Sequence, residues 1–399
     1  MSRRIGFLID FRLFRCGDEL RTDSPMVQFA LGFRAYFDRI VLIARVFPDA
    51  PDFDVPYVVR DESVDVVPLP PYPQISSLYS APHRYWPQIR RSLAATLPGL
   101  DALWLNFGHP VSLLALHMAA RRPSIRLFSA VRGSYDRDAE LRSGGPRIVK
   151  QLAGGVMRGQ MNLFARRAAR MRIPCFAFGS ELEERLRGLG VFTIGMADSL
   201  IRDEDLSRDI SPDPALATDL LAVGRLAPEK GLDVLLRALP AIRRDDGAPA
   251  SLRIVGSGPL AADLQRQARD LGVAERVRFD GHVSFGSELF ARYRSARLLV
   301  IPSHTEGLPK TAYEAMAFGC PVLATRVGGL PEIVGTNGER GRLVAPGDPD
   351  ALARVASSLL GDPAELESMA ERAMRYGRQF SLETQVRKMM DYISPSGSE

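Results

Sequence analysis

Three cysteines in 399 residues, Cys16, Cys175 and Cys320, share no paired spacing. Their scarcity excludes a disulfide framework and a cysteine zinc site, and it suits packing residues in a reducing cytoplasm. Long apolar runs are missing as well. The longest, Val111–Ala120, is interrupted by Ser112 and His117 and falls short of the roughly 18 uncharged residues that a membrane-spanning helix requires. No secretory leader is legible, because Met-Ser-Arg-Arg runs directly into Ile5–Ile9, which is too short for a signal core and reads as a first core strand. An acidic excess is also lacking: the formal charge is +5, with arginines crowding Arg121–Arg187. A positive field of this kind suits nucleic acid, anionic lipid or a phosphorylated substrate, and charge alone does not choose among them.

What is present is globular usage, 46% hydrophobic and 25% charged, in a chain too long for one ordinary core, so two domains are expected. Short β-rich runs alternate with segments of helical period, the signature of parallel sheets covered by helices on both faces. In the first half, strands are expected at Ile5–Ile9, Arg39–Ala44, Ala102–Asn106, Arg126–Val131 and Cys175–Gly179. Pro68–Pro87, rich in proline and aromatics such as Tyr72, Tyr79, Tyr85 and Trp86, reads as an ordered loop that could line an acceptor site. Residues 1–200 form the first domain, and 201–219, with Asp203, Glu204, Asp205, Asp209, Pro212 and Pro214, read as a linker. Residues 220–377 form a second domain with strands at Leu220–Val223, Ser251–Val255, Arg276–Phe279, Leu298–Ile301, Val322–Thr325 and Gly341–Val344. The C-terminal helix, about 378–393, is expected to pack back on the first domain. The fold class is therefore α/β, with two Rossmann-like doubly wound domains facing across a central cleft, and ligands are sought in the loops after strands.

Three clusters fall in such loops. Gly224-Arg225-Leu226-Ala227-Pro228-Glu229-Lys230-Gly231 offers a forked guanidinium and a flexible ammonium, a pair suited to a diphosphate. Gly256-Ser257-Gly258-Pro259 sits between strand and helix, where Gly256 and Gly258 permit close backbone approach to an anion. With Ala261 in third place it half-matches a dinucleotide fingerprint, and Asp280 at the end of the next strand keeps an NAD reading open. The third cluster runs from His304 to Val322. Pro309 fits an early helix position, Gly319 fits the stop, and the stretch Leu308–Lys310, with the free amides of Leu308 and Lys310 on either side of Pro309, marks a helix start that can hold phosphate. Glu306 and Glu314, on the order of 10 Å apart along the site, could bracket a nucleotide sugar, one reaching sugar hydroxyls and the other ribose hydroxyls.

The Glu306/Glu314 pair, the Arg225/Lys230 pair, Gly256–Pro259, Phe279-Asp280-Gly281-His282 and Val327–Glu332, in this order, resemble the family 4 retaining glycosyltransferases of the group 1 type, which have the GT-B fold. The resemblance implies that Glu306 holds the donor sugar, Glu314 binds ribose, Arg225 and Lys230 neutralise the diphosphate, and the loop after Gly281, with His282, contacts the base. His109, in Phe107-Gly108-His109-Pro110, is similar to the family's active-site histidine. The catalytic candidates are thus Glu306, His109, Arg225 and Lys230. Two departures concern the acceptor side: Asp10–Arg21 holds only Gly17 where the family often has a glycine pair, and Ile194–Asp198 replaces a Pro-Asn-Gly-Val segment.

The expected partners are a nucleotide-sugar donor of the UDP or GDP type and a glycan or lipid-linked acceptor in surface polysaccharide or glycolipid assembly, with no nucleic acid. No cofactor and no metal are expected, since Asp136-Arg137-Asp138 and Asp348-Pro349-Asp350 imitate a metal-binding D-x-D without its context. Met157, Met161, Phe164, Ala168 and Met171 recur at helical spacing among Arg158, Arg166, Arg167, Arg170 and Arg172. That segment is either an ordinary helix packed on the sheet or a contact with an anionic membrane, which would place a cytoplasmic protein peripherally on the inner face. A sugar-nucleotide epimerase, an NAD-dependent oxidoreductase and a non-catalytic sensor are the rival readings.

Overall fold

The computed structural model describes residues 2–53, 55–132, 147–208 and 211–393. The chain divides into two compact units. One runs from the N-terminus to Met196 and is completed by the segment from Gln385 onward; the other is Ala197–Thr384.

The first unit is built on a nine-stranded sheet. Its parallel strands are β1 (Arg4–Cys16), β3 (Arg39–Phe47), β5 (Val64–Leu69), β6 (Ala102–Asn106), β7 (Arg126–Arg132), β8 (Cys175–Phe178) and β9 (Thr193–Met196). They lie in the order β5-β3-β1-β6-β7-β8-β9, so the winding reverses between β1 and β6. Two short strands extend the far end of β1: β2 (Glu19–Thr22) pairs antiparallel with β1, and β4 (Tyr57–Val58) pairs antiparallel with β2. β1 thus runs seven residues past its expected end, and a tight turn at Gly17 returns the chain as a hairpin in place of a glycine-rich loop. Leu8 pairs with Ile43 and Arg12 with Arg45, so β1 carries extra residues between two points that β3 joins in two steps. This is a bulge around Asp10.

Pro82–Thr96 is a helix, contrary to the loop expected across 68–87. Pro82 opens it, where a missing N–H costs nothing, and Tyr85, Ile89, Leu93 and Leu97 form an inward stripe that outweighs the proline content. The 24-residue helix Arg147–Arg170 sends Met161, Phe164, Ala165 and Ala168 into the core, with Phe164 stacking on Phe107 at 4.7 Å. The C-terminal helix Leu382–Ile393 ends on the first unit, where Lys388 Nζ donates to the Gly195 carbonyl at 2.7 Å and Tyr392 meets Phe176 and Phe192.

The second unit has six parallel strands: β10 (Thr218–Val223), β11 (Leu252–Val255), β12 (Val277–Gly281), β13 (Ala296–Ile301), β14 (Val322–Thr325) and β15 (Gly341–Val344). Their order is β12-β11-β10-β13-β14-β15, reversing between β10 and β13. All four central strands are apolar and buried, as a sheet covered on both faces requires. Residues 201–219 do not form a free linker: Asp203–Ser207 is a helix, and Ile201 and Leu206 join the core of this unit.

Candidate functional site

In open α/β sheets ligands bind beyond the carboxyl ends of the strands where the strand order reverses. In the second unit that point is flanked by the loops after β10 and β13, which carry Arg225, Lys230 and Glu306. Lys230 Nζ donates to Glu306 Oε1 at 2.6 Å, and the Ser303 hydroxyl donates to the same oxygen at 2.6 Å. The Glu306 side chain is only 8% exposed, so its charge is held where Coulombic effects are strong and water is scarce. Arg225 is exposed and pairs with Glu229 one turn on.

The loops are held by backbone contacts. His304 N–H donates to the Glu229 carbonyl at 2.9 Å, tying the β13 loop to the β10 loop. Thr325 Oγ1 donates to the Ser303 carbonyl at 2.6 Å from beneath. Gly328, at φ +51°, lies so close to the Glu306 loop that a Cβ there would stand 2.1 Å from the Glu306 carbonyl oxygen. The adjacent Gly329 N–H donates to the Gly307 carbonyl at 2.8 Å. Residues 327–332 therefore form a buttress for Glu306, a role the motif alone did not disclose.

The glycines of the β11 loop behave similarly. A Cβ on Gly256 would lie 1.8 Å from the Gly224 carbonyl oxygen, and one on Gly258 would lie 2.4 Å from that of Leu226. The close approach these residues permit is to the neighbouring loop, with Leu226 N–H donating to the Ser257 carbonyl at 2.9 Å. They lock the Arg225 loop in place, so the sequence signal for a phosphate cradle has a packing explanation.

Helix Lys310–Ala317 begins at Pro309, with no side chain capping its N-terminus and no acid in its first turn. That end carries the positive pole of the helix and favours an anion. Leu308 is half-buried, Pro309 is buried, and Lys310 Nζ lies 3.7 Å from Asp198 Oδ1. Glu314, one turn inside, is 4% exposed and accepts a 2.8 Å hydrogen bond from the buried Tyr293 hydroxyl. Burial pushes its carboxyl up to about 7, against the opposing pull of Tyr293 and Lys310, while Asp198 adds to the rise. Tyr293, Ser303 and Thr325 escaped sequence reasoning because no spacing links them to the motif; only the sheet order brings them together.

His282 is exposed just beyond β12. Asp280 is not available to a ribose. Its carboxylate is gripped by Arg253 at 2.7 and 2.9 Å and by Arg292 at 2.8 Å, and it is 10% exposed. Although burial opposes ionisation, these two guanidinium groups hold its carboxyl below the usual range. The observation behind the NAD reading is thus a structural ion-pair cluster. Asp348 caps the helix Pro349–Leu360 by accepting from the Ala351 amide at 2.9 Å, which accounts for one D-x-D pattern. The other, Asp136–Asp138, lies outside the described residues.

In the first unit the reversal point lies between β1 and β6, where Asp10 stands at the bulge within β1 and His109 follows β6. His109 caps the helix Pro110–Ala119 and is 8% exposed. Its Nε2 is 3.5 Å from Asp10 Oδ1, and Arg45 on β3 lies 3.0 Å from the same oxygen. Asp10, Arg45 and Tyr72 were not singled out from the sequence, because the bulge and the adjacency of β1, β3 and β6 are long-range features.

Residues 203–379 match the family model described as glycosyl transferases group 1. The GDP-mannose-dependent alpha-(1-6)-phosphatidylinositol monomannoside mannosyltransferase of Mycolicibacterium smegmatis is 41% identical over 157 residues, 38% of this chain and 40% of that protein. The D-inositol 3-phosphate glycosyltransferase of Salinispora tropica is 38% identical over 185 residues, 44% of this chain and 38% of that protein. The chain thus spans about two fifths of the length of these curated relatives. Sucrose-phosphate synthase from Thermosynechococcus elongatus superposes with a TM-score of 0.70 at 18% identity, covering 98% of both chains. Anabaena HepE in complex with UDP-glucose gives 0.68 at 18% identity, covering 98% of this chain and 99% of that one. The second unit accordingly belongs to the glycosyl transferases group 1 family, and the likeness to solved structures along nearly the whole chain identifies its fold as GT-B.

Proposed function

We propose that the chain transfers a sugar from a nucleoside diphosphate sugar, of the UDP or GDP type, to a glycan or lipid-linked acceptor with retention of anomeric configuration and without a metal ion. The observation that carries this reading is the Lys230–Glu306 pair, held at the reversal point of a sheet whose sequence matches the group 1 family. Lys230, Arg225 and the uncapped helix start at Lys310 supply fixed positive charge for a departing diphosphate, the part a metal ion would otherwise take. Glu306 accepts from donor-sugar hydroxyls and Glu314 from the ribose, and His109 is the first unit's own candidate for the reaction. A departing diphosphate stabilised in this way takes the acceptor proton itself, so attack occurs on the face it leaves. The names of the relatives, which include a GDP-mannose-dependent enzyme acting on a phosphatidylinositol glycolipid, favour a lipid-linked acceptor.

The test is a thermal-shift panel of UDP, GDP, ADP and dTDP and their sugars, with and without chelator, on the wild type and Lys230→Ala. A ligand at about 100 times its Kd adds about 2.7 kcal/mol to the native state. One series should raise the melting temperature of the wild type alone, with or without chelator. A response to NAD(H) only, or one abolished by chelator, overturns the reading.

A membrane contact has a specific observation behind it. The inward stripe of helix Arg147–Arg170 is used by the core, but Val156 and Leu163, 52% and 45% exposed, lie two turns apart on a face shared with the exposed Arg166 and Arg170, and the helix holds no acid. That face suits an anionic surface. Binding to vesicles should require anionic lipid and weaken with salt; equal binding to neutral vesicles removes this part of the reading.

A further inference from the structure

The first unit holds a buried charged cluster to which neither the family match nor the motif assigns a role. The bulge in β1 turns Asp10 out of the strand register, the recurring use of bulges beside functional sites. Asp10 Oδ1 accepts from the Tyr72 hydroxyl at 3.4 Å and lies 3.0 Å from Arg45 and 3.5 Å from His109 Nε2, which is buried without a hydrogen-bond partner among the described residues. Arg45 is 8% exposed on its side chain, donates to the Tyr72 and Pro73 carbonyls at 2.9 and 3.3 Å, and stacks 4.7 Å above the Tyr72 ring. Arg45 is thereby locked, and its charge holds the Asp10 carboxylate in one place. Burial works against ionisation of Asp10, yet His109, Arg45 and Tyr72 together keep its carboxyl below the usual range.

The other ring nitrogen of His109 is also fixed. The Val111 amide donates to Nδ1 at 3.2 Å, and because an amide N–H only donates, Nδ1 must carry the lone pair. The proton of the neutral ring is therefore on Nε2, facing a carboxylate that only accepts. Nδ1 is engaged by the Val111 amide, while Nε2 is buried without a hydrogen-bond partner among the described residues and faces Asp10 at 3.5 Å, so no ring lone pair is left to take a proton from an incoming hydroxyl.

We propose that Asp10, clamped by Arg45 and Tyr72, is a positioning residue whose carboxylate orients the Nε2–H of His109, a tautomer that the Val111 amide sets from the other side of the ring, so that His109 serves the transfer as a hydrogen-bond donor and not as its base. This rests on the glycosyltransferase reading for the role of His109, but the tautomer does not. At 3.5 Å the Nε2–H···Oδ1 contact is long enough for the N–H to be shared with a ligand oxygen beside Asp10, whose side chain is 22% exposed.

The test uses the full-length chain labelled with 15N-histidine. Two-bond proton–nitrogen spectra report which ring nitrogen is bare, with His109 assigned by its loss in His109→Gln. The expected result is a bare Nδ1 and a protonated Nε2 in the wild type, and the same tautomer with a displaced Nε2 resonance in Asp10→Ala, where the Val111 amide still donates to Nδ1. In steady state, Asp10→Ala should lower kcat on the order of 100-fold, the cost of a misplaced group, with donor KM unchanged. Asp10→Asn, whose amide oxygen still accepts from Nε2–H, should recover most of the loss. A protonated Nδ1 in an active wild type, or Asp10→Ala with full kcat, overturns the proposal. A wild type with the expected tautomer and no sugar transfer overturns the parent reading instead.

Discussion

The two sheets reverse their winding in the same way, and each sets a nitrogen-bearing side chain beside an acid at the reversal: Lys230 with Glu306 after β10 and β13, and His109, after β6, with Asp10 within β1. They differ in how the acid arrives. Glu306 sits in a loop that follows its strand within a few residues and is propped by Ser303, Thr325 and Gly328. Asp10 lies in the middle of a 13-residue strand and reaches its partner only because β1 bulges there and continues into a hairpin. The first arrangement is local and leaves a motif; the second depends on which strands become neighbours. Where function is written in loops after strands it survives in the sequence as spacing, and where it is written in a strand irregularity it does not.

Replacing Glu306 by Gln sharpens this contrast most. The substitution keeps shape while removing the charge that Lys230 and the Ser303 hydroxyl are arranged around, so kcat should fall about 100- to 1,000-fold, the scale of losing one preorganised electrostatic group. Circular dichroism and melting temperature should stay close to wild type, because the variant leaves no buried charge unpaired. Lys230→Ala should differ in kind: activity falls, and stability drops by about 1–3 kcal/mol because the Glu306 carboxylate loses its partner. If Glu306→Gln retained more than a tenth of wild-type kcat, the second reversal point would be structural like the Asp280 cluster, and the comparison between the two units would collapse.

Much of the second unit was legible. Its central strands are short, mainly apolar runs, and all six strands appear within two residues of their expected limits. The catalytic candidates Lys230 and Glu306 meet as their loops suggest, although Gly256 and Gly258 turned out to serve the Arg225 loop through backbone packing. In the first unit β2, β4, β5 and β9 were missed. β5 carries Asp65 and a proline, β9 has Gly195 in its centre, and β2 and β4 are too short to show a period. The helix at Pro82–Thr96 was hidden by its prolines, since composition counts them while position decides their cost. Arg45 was invisible for a different reason: a single arginine at the end of an apolar strand looks like a solvated terminus until the loop at Tyr72 and Pro73 closes over it.

The smallest expected effect comes from Glu314, and its sign follows from burial. The carboxyl is raised from an ordinary 4.5 to about 7, so the folded protein holds this proton over a range in which the unfolded chain has released it. The stability this contributes is fully present below about 4.5, declines on the order of 1 kcal/mol per pH unit as pH rises toward 7, and is gone above that. Donor binding should run the opposite way. An ionised Glu314 accepts from a ribose diol and a protonated one does so poorly, so affinity for a sugar nucleotide should rise severalfold between pH 6 and 7.5 and then level off, with proton release on binding below pH 7. The sugar nucleotide is the right probe because both its phosphates are diesters, whereas the terminal phosphate of a free diphosphate titrates in the same window. Calorimetry in buffers of different ionisation enthalpy reads affinity and proton release together. Glu314→Gln should flatten the profile and Asp10→Ala should leave it intact, because the roles proposed above give the first unit's acid to the sugar transfer and the second unit's to the nucleotide. A flat wild-type profile would mean that Glu314, held by Tyr293, stays protonated throughout and reads the ribose, if at all, as a donor.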